Sequence, residues 1–145
     1  MWLEWLLPSA RGKFDPDRDV RLLAIAAYAD LNLKNYEAAR ERAFEVLKRA
    51  DEIADRALLE CAFSYVNFSW LCADQCAESV KFFSDYIERH PNESAAYHQR
   101  AIALWYFGQS QAAVDDFSRA LELNPHERMV LSSRGQALVD CGKYD

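Results

Sequence analysis

Residues 94–127 read SAAYHQRAIALWYFGQSQAAVDDFSRALELNPHE, and this stretch determines the fold. Its small, aromatic and turn-forming residues have the spacing of two antiparallel helices joined by a short turn. Small residues stand where the two helices approach closely, aromatic residues fill the space around them, and a proline ends the second helix. The positions that carry the pattern are Tyr97, Ala101, Leu104, Gly108, Ala113, Phe117, Ala120, Leu121 and Pro125. We expect Ala113, Ala120 and Leu121 to be fully buried between the helices.

The pattern continues after residue 127 with a period of 34 residues. Arg128 begins a further first helix, with Gly135 at the small position and Leu138 in phase. Gly142 then provides the permissive residue that a turn needs. The sequence stops at Asp145, before a second helix is formed.

Residues 60–93 form a divergent copy of the pattern. Three larger side chains, Asn67, Ser79 and Tyr86, replace the expected small residues, so the helices cannot approach as closely. We therefore expect loose packing around Ser79. The residues that remain in phase are Phe63, Trp70, Phe83 and Pro91.

A first copy covers about residues 20–53, where the segment Asn35-Tyr-Glu-Ala-Ala39 matches the turn and the start of a second helix. The residues in phase are Leu23, Ala27, Ala39 and Leu47. Ala39 and the corresponding Ser79 are 40 positions apart, so about six extra residues separate the first two copies. We place these extra residues near positions 50–59.

Residues 94–127 closely resemble a tetratricopeptide repeat, and the period extends the resemblance over about 125 of the 145 residues. The resemblance implies an all-α fold, a right-handed solenoid of helical hairpins. The repeats would cover about 20–53, 60–93 and 94–127, with a partial repeat at 128–145. Residues 1–15 would be an N-terminal apolar segment and linker, and residues 16–145 the repeat domain. The seven predicted helices are 17–33, 36–50, 54–73, 76–90, 93–107, 110–123 and 127–141.

The composition excludes several classes of protein. With 51% hydrophobic and 13% aromatic residues the chain can bury a core, and only 4 Gly and 4 Pro argue against a β-sandwich. A net charge of −6 argues against a nucleic-acid partner. No apolar run reaches the ~18 residues of a membrane span, which favours a cytoplasmic protein.

The sequence contains no pattern typical of catalysis or of a cofactor. It has no glycine-rich phosphate loop, no H-E-x-x-H and no G-x-S-x-G, so we predict neither an enzyme nor a cofactor site. Cys72 and Cys76 could form half of a metal site, but no second half follows. We predict that the four cysteines are ordinary thiols and that no metal is bound.

The resemblance also implies a binding groove, because the first helices of tetratricopeptide repeats line a concave face. Mapping the family's groove positions onto the repeats gives twenty residues, of which one is basic and one acidic. The groove would therefore be apolar and aromatic. The residues predicted to bind a peptide there are Tyr28, Leu31, Phe68, Leu71, His98, Ile102, Trp105, Tyr106 and Gln136. For Tyr28, Phe68, Trp105 and Tyr106 the alternative is packing in the core or under the N-terminal segment.

Family members that hold the acidic C-termini of heat-shock chaperones carry a clamp of Lys, Asn and Arg. The matching positions here are Ala24, Tyr28, Tyr65, Ala95 and Gln99, and none of them is basic. A buried carboxylate would lack a compensating charge there, so we do not expect a cochaperone of that kind.

The sequence thus predicts a protein–protein interaction module, a scaffold or adaptor that binds a protein or peptide partner with apolar residues. Two alternatives stay open: a regulatory or targeting module of a longer protein, and self-association into a homo-oligomer through the exposed C-terminal half-repeat. The N-terminal segment with Trp2 and Trp5 could cap the first repeat, insert into the groove as an intramolecular ligand, or contact a partner.

Overall fold

The computed structural model describes residues 16–49 and 56–142. Within these ranges the chain is all-α, and each predicted helix is confirmed with ends within two residues of the prediction. The helices are α1 (Pro16–Asn32), α2 (Tyr36–Lys48), α3 (Arg56–Cys72), α4 (Cys76–Arg89), α5 (Ser94–Tyr106), α6 (Ser110–Leu123) and α7 (Arg128–Asp140). The predictions for residues 1–15 and for most of the extra residues between the first two repeats lie outside the described residues.

Each turn that follows a first helix contains one residue in the left-handed backbone region. In the turn between α5 and α6 the Gln109 N–H donates to the Leu104 carbonyl at 2.8 Å, which completes a common helix C-terminal motif. The left-handed residues are Lys34, Asp74, Gly108 and Gly142, with φ of 63°, 58°, 83° and 68°. They follow one another at intervals of 40, 34 and 34 residues. These intervals confirm the repeat period and the six extra residues before the second repeat.

The core of each hairpin contains the aromatic residues that the pattern predicts. Phe63, Phe83 and Phe117 are fully buried, as are Ala113 and Ala120. The expectation for Leu121 was wrong, because it is only half-buried and packs at the edge of the core. Only one face of a helix packs against the core, and the neighbouring buried residues of α6 already fill that face.

The second hairpin is packed around a buried polar network, so the expectation of loose packing at Ser79 was also wrong. Ser79 and Asn67 are both fully buried. The Ser79 hydroxyl donates to Asn67 Oδ1 at 2.6 Å, and Asn67 Nδ2 donates to the Gln99 carbonyl at 3.1 Å and to Gln99 Oε1 at 2.9 Å. Gln99 Nε2 then donates to Ser64 Oγ at 3.1 Å. These bonds replace the contact between small residues that the third hairpin uses, and they join α4 through α3 to α5.

An aromatic side chain fills the space that a small residue would leave in α4. The Tyr86 ring lies 4.9 Å from that of Phe63, edge to face, and stacks on His90 at 4.5 Å. Phe82 continues the cluster and contacts Phe44 of α2 at 5.2 Å. The divergent repeat is therefore filled by rings and bound to the repeat before it.

A partly buried ion pair holds the third hairpin. Arg100 Nε and Nη2 contact the two carboxylate oxygens of Asp116 at 2.6 and 2.8 Å, and Arg100 Nη1 donates to Ser84 Oγ at 3.2 Å. One repeat later, Arg134 Nε donates to Ser118 Oγ at 2.9 Å. Arg100 thus connects three helices, α4, α5 and α6, through one guanidinium group.

The packing of the second and third hairpins can be compared by placing a larger side chain at equivalent buried positions. Ala113→Leu is expected to lower the free energy of unfolding by about 1–3 kcal/mol, because the site is already filled. Ser79→Leu is expected to cost at least as much, since it also removes the hydrogen bond to Asn67. Urea denaturation of both variants measures this, and a much smaller loss at Ser79 would contradict the packing described here.

Candidate binding groove

The first helices of the hairpins contact one another in series, α1 with α3, α3 with α5, and α5 with α7. On the face that they share, one hollow lies on each side of α3. The first, which we call the apolar hollow, has a volume of about 450 Å³ and lies between α1 and α3. Its lining residues are Arg21, Ala24, Ile25, Tyr28, Ala57, Leu58, Cys61 and Tyr65.

Large apolar side chains are open to solvent in the apolar hollow. Ile25 is 64% exposed and Tyr28 is 56% exposed, and the Tyr28 ring lies 6.1 Å from that of Tyr65. Burial raises the pKa of Tyr65, with a smaller contribution from Cys61, so its phenol stays protonated at neutral pH. Apart from Arg21, the residues that line the hollow are therefore uncharged, and they expose apolar area.

The second hollow, which we call the polar hollow, has a volume of about 200 Å³ and lies between α3, α5 and α7. Two carboxylates face it, from Glu60 on α3 and from Glu127 before α7. Among the residues that the structure describes, Glu60 has one distant ion-pair partner, Arg56, at 3.6 Å, and Arg56 itself is held by Glu93. The lining residues are Glu60, Ser64, Ser94, Ala95, His98, Gln99, Ala120, Glu127, Met129 and Val130.

His98 does not neutralise these carboxylates at pH 7. Its ring lies 5.9 Å from that of Phe117, and burial lowers its pKa below the ordinary value of 6.5, although nearby Glu127 partly opposes the shift. The imidazole is therefore uncharged at neutral pH. The polar hollow consequently carries net negative charge.

The pH dependence of stability should report this burial. Because the pKa of His98 is lowered in the folded state, the unfolded chain takes up the proton first, and stability falls as the pH drops below about 6.5. His98→Gln is expected to flatten the free energy of unfolding between about pH 7 and pH 5. The control is His126→Gln, in an exposed turn. An unchanged slope in the His98 variant would show that the imidazole is not buried in this way.

The structure brings only two of the nine predicted groove residues into the hollows. Tyr28 lines the apolar hollow and His98 lines the polar one. Neither hollow is lined by the other seven. Phe68, Tyr106 and Gln136 are exposed and Leu31 and Leu71 are half-buried, while Ile102 and Trp105 pack against the core of the third repeat.

Trp105 has a second interaction that the sequence did not indicate. Its indole N–H donates to Asp140 Oδ2 at 2.6 Å, and its ring contacts that of Tyr106 at 6.1 Å. It therefore connects α5 to the end of α7. Its side chain is half-buried there, so Trp105 packs within the solenoid and still exposes part of its surface.

Sixteen of the eighteen residues that line the hollows are not among the nine predicted, and they include Ile25, Leu58, Glu60, Tyr65 and Glu127. The family's groove positions were carried over as a fixed set, which extends towards the C-terminal end of each first helix. The hollows lie nearer the N-terminal ends. The i, i+4 spacing of Cys61 and Tyr65 on one face of α3 is a signal that could have indicated the apolar hollow.

No family model matches the chain. The DnaJ homolog subfamily C member 3 of Bos taurus is 31% identical over 75 residues, which are 52% of this chain and 15% of that protein. The small glutamine-rich tetratricopeptide repeat-containing protein 2 of Mycosarcoma maydis is 28% identical over 74 residues, which are 51% of this chain and 21% of that protein. The match thus spans about a fifth or less of either relative.

Solved structures are similar over most of the chain. The first TPR of Spaghetti (RPAP3), bound to the HSP90 peptide SRMEEVD, superposes with a TM-score of 0.62 at 12% identity and covers 90% of this chain and 99% of that chain. The TPR domain of P58(IPK) gives 0.58 at 16% identity and covers 88% of this chain and 36% of that chain. The chain has the tetratricopeptide repeat fold. In this tetratricopeptide repeat solenoid, α7 contacts both α6 and α5.

Three further features of the tetratricopeptide repeat solenoid bear on its chemistry. Across residues 16–49 and 56–142, no helix combines the length and apolar character that crossing a membrane requires. The same ranges contain no group of three or more His, Cys, Asp and Glu side chains placed to hold a metal ion. All four cysteines are free.

Proposed function

We propose that this chain is a protein–protein interaction module that binds an apolar or aromatic peptide or helix in the groove formed by α1, α3, α5 and α7. The observation that carries the proposal is the apolar hollow, where Ile25 and Tyr28 expose apolar surface in a concave site. The tetratricopeptide fold supports it, since one structural neighbour is bound to a peptide.

The role is that of a non-catalytic adaptor or scaffold in the cytoplasm. Within a longer protein the same groove would act as a regulatory or targeting module. The nine residues from Tyr28 to Gln136 named from the sequence remain the proposed contact surface, and two of them, Tyr28 and His98, line the hollows. Large rigid aromatic side chains are enriched at interface hot spots, which fits Tyr28 and Trp105.

A random peptide display screen on the full chain tests the proposal. Selected peptides are expected to be rich in apolar residues. Tyr28→Ala should weaken their binding about tenfold, and Trp105→Ala should weaken it by about 2 kcal/mol or more. Thermal unfolding of the Trp105 variant separates lost binding from lost packing.

Glu122→Ala is the control variant, because Glu122 is exposed on α6 and lies outside both hollows. The Glu122→Ala variant should bind the selected peptides as tightly as the unaltered chain does. A screen without enrichment, or selected peptides that bind Tyr28→Ala and Trp105→Ala as well as the unaltered chain, would place the function elsewhere.

A second candidate function is self-association through α7, and the exposed apolar face of that helix favours it. Met129 is 68% exposed and Leu131 is 51% exposed. Arg134 repeats the serine contact of Arg100, yet within the described chain no carboxylate pairs with it as Asp116 pairs with Arg100. A helix from a second copy could supply both the apolar cover and the charge.

Sedimentation equilibrium over a wide concentration range distinguishes this candidate. If α7 mediates association, Leu131→Ser should shift the chain towards monomer. Leu33→Ser should not, although Leu33 is 70% exposed, because it lies at the end of α1. Monomeric behaviour of the unaltered chain at all concentrations would exclude the candidate.

A further inference from the structure

We propose that the groove selects a peptide with one apolar side chain and, about three residues away, an arginine or lysine. This inference rests on the proposed function and adds the charge of the ligand to it. The apolar side chain would occupy the apolar hollow between α1 and α3. The basic side chain would enter the polar hollow on the other side of α3.

The polar hollow has the charge that a cation requires. Glu60 and Glu127 both line it, no lysine or arginine is among its lining residues, and His98 is uncharged at neutral pH. A guanidinium would therefore meet two carboxylates, and charge-assisted bonds of this kind are stronger than neutral ones. The serine and glutamine oxygens at the same site can accept its remaining hydrogens.

Glu127 differs from the residue at the same position one repeat earlier. Glu93, before α5, accepts a hydrogen bond from the Ala95 N–H and pairs with Arg56. The Glu127 side chain makes no such bond to α7, and across the described ranges it has neither a hydrogen bond nor an ion pair. Its carboxylate is therefore free for a ligand, whereas that of Glu93 is already engaged.

The spacing follows from the width of one helix. Packed helices lie about 8–10 Å apart, so the two hollows on either side of α3 are separated by about that distance. An extended chain advances about 3.3–3.6 Å per residue. About three residues therefore carry a peptide from one hollow to the other.

The charge of the preferred ligand is the reverse of that in one structural neighbour. The HSP90 peptide bound to the first TPR of Spaghetti ends in Glu-Glu-Val-Asp. An acidic peptide of this kind would bring carboxylates towards Glu60 and Glu127 and would be repelled. The same fold would then distinguish partners by the sign of a charge in one hollow.

The test uses short capped peptides with one leucine and, about three residues along in either direction, an arginine. Matched peptides carry citrulline, which keeps the shape without the charge, or glutamate. The arginine peptide is expected to bind the full chain at least about tenfold more tightly than the citrulline peptide, and the glutamate peptide more weakly still.

Three variants assign this preference to the hollows. Glu127→Gln should remove most of the preference for arginine over citrulline and leave citrulline binding unchanged. Ile25→Ala should weaken all leucine-containing peptides by a similar factor. Glu122→Gln, on the exposed side of α6, is the matched charge control. It should alter neither the preference for arginine over citrulline nor the binding of leucine-containing peptides.

The free thiols report whether the groove is occupied. Cys61 is exposed and lines the apolar hollow, whereas Cys72 is exposed outside both hollows. Bound peptide should slow alkylation of Cys61 and leave Cys72 unaffected. If peptides protect Cys61 without any preference for arginine, the inference about ligand charge is wrong, whereas the proposed function of peptide binding in the groove is supported. If no peptide protects Cys61, both the inference and the proposed function are wrong.

Discussion

Asp116→Ala is expected to lower the free energy of unfolding by about 3 kcal/mol, the lower end of the range for breaking a buried ion pair. Asp116 is buried, and its two oxygens hold the Arg100 guanidinium at 2.6 and 2.8 Å. Without the carboxylate, the charge of Arg100 stays in the interior with Ser84 as its hydrogen-bonding partner. The loss is at the lower end because Arg100 keeps some contact with water.

The neighbouring residue offers a matched control for this experiment. Asp115 is exposed on the same helix and accepts a hydrogen bond from Gln111, so Asp115→Ala should change stability by less than about 0.5 kcal/mol. Urea denaturation of the two variants gives the comparison. Equal losses would mean that the ion pair contributes no more than an exposed aspartate.

Asn67→Ala is expected to lower the free energy of unfolding by about 2–3 kcal/mol. The substitution removes the side chain that bonds to both Ser79 and Gln99, and all three residues are buried. Ser79 then loses the acceptor for its hydroxyl, and the Gln99 carbonyl and amide oxygens lose a donor. An unpaired buried polar group costs more than the net gain from making the bond.

A double variant separates the contribution of the hydrogen bond between Asn67 and Ser79 to stability from that of the packing. Asn67→Ala combined with Ser79→Ala places alanine where the third repeat has Ala101 and Ala113, both of which are buried. The double variant should lose less than the sum of the two single variants, because neither site then leaves the other unpaired. Strict additivity would show that the hydrogen bond between Ser79 and Asn67 does not matter.

The helices and their period could be predicted from the sequence because both depend on local, repeated signals. Gly108 marks the turn between α5 and α6 and Gly142 the end of α7, and the residues in phase with Ala39 locate the other turns. Even the left-handed residues Lys34 and Asp74, which are not glycines, lie at the predicted turns. A repeat supplies several independent positions for each element, so one unusual residue does not obscure it.

The position of the hollows along the first helices could not be predicted in the same way. Which end of a first helix lines a hollow depends on how neighbouring helices approach, and that distance is set by side chains of other repeats. The polar network shows the same limit. Asn67 and Ser79 looked like misplaced large residues in isolation, and only the position of Gln99, on α5, makes them a satisfied group.

The bonds between Asn67 and Gln99 also restrict how this array could be rearranged by gene duplication or deletion. Solenoids grow and shrink by whole repeats most easily when every junction is interchangeable. Here the junction between the second and third repeats needs a glutamine at one position, and the corresponding residue one repeat later is Ser133. Deleting the third repeat would place Asn67 opposite that shorter side chain, so its buried amide would lose a partner. The two repeats are therefore expected to be inherited as a unit.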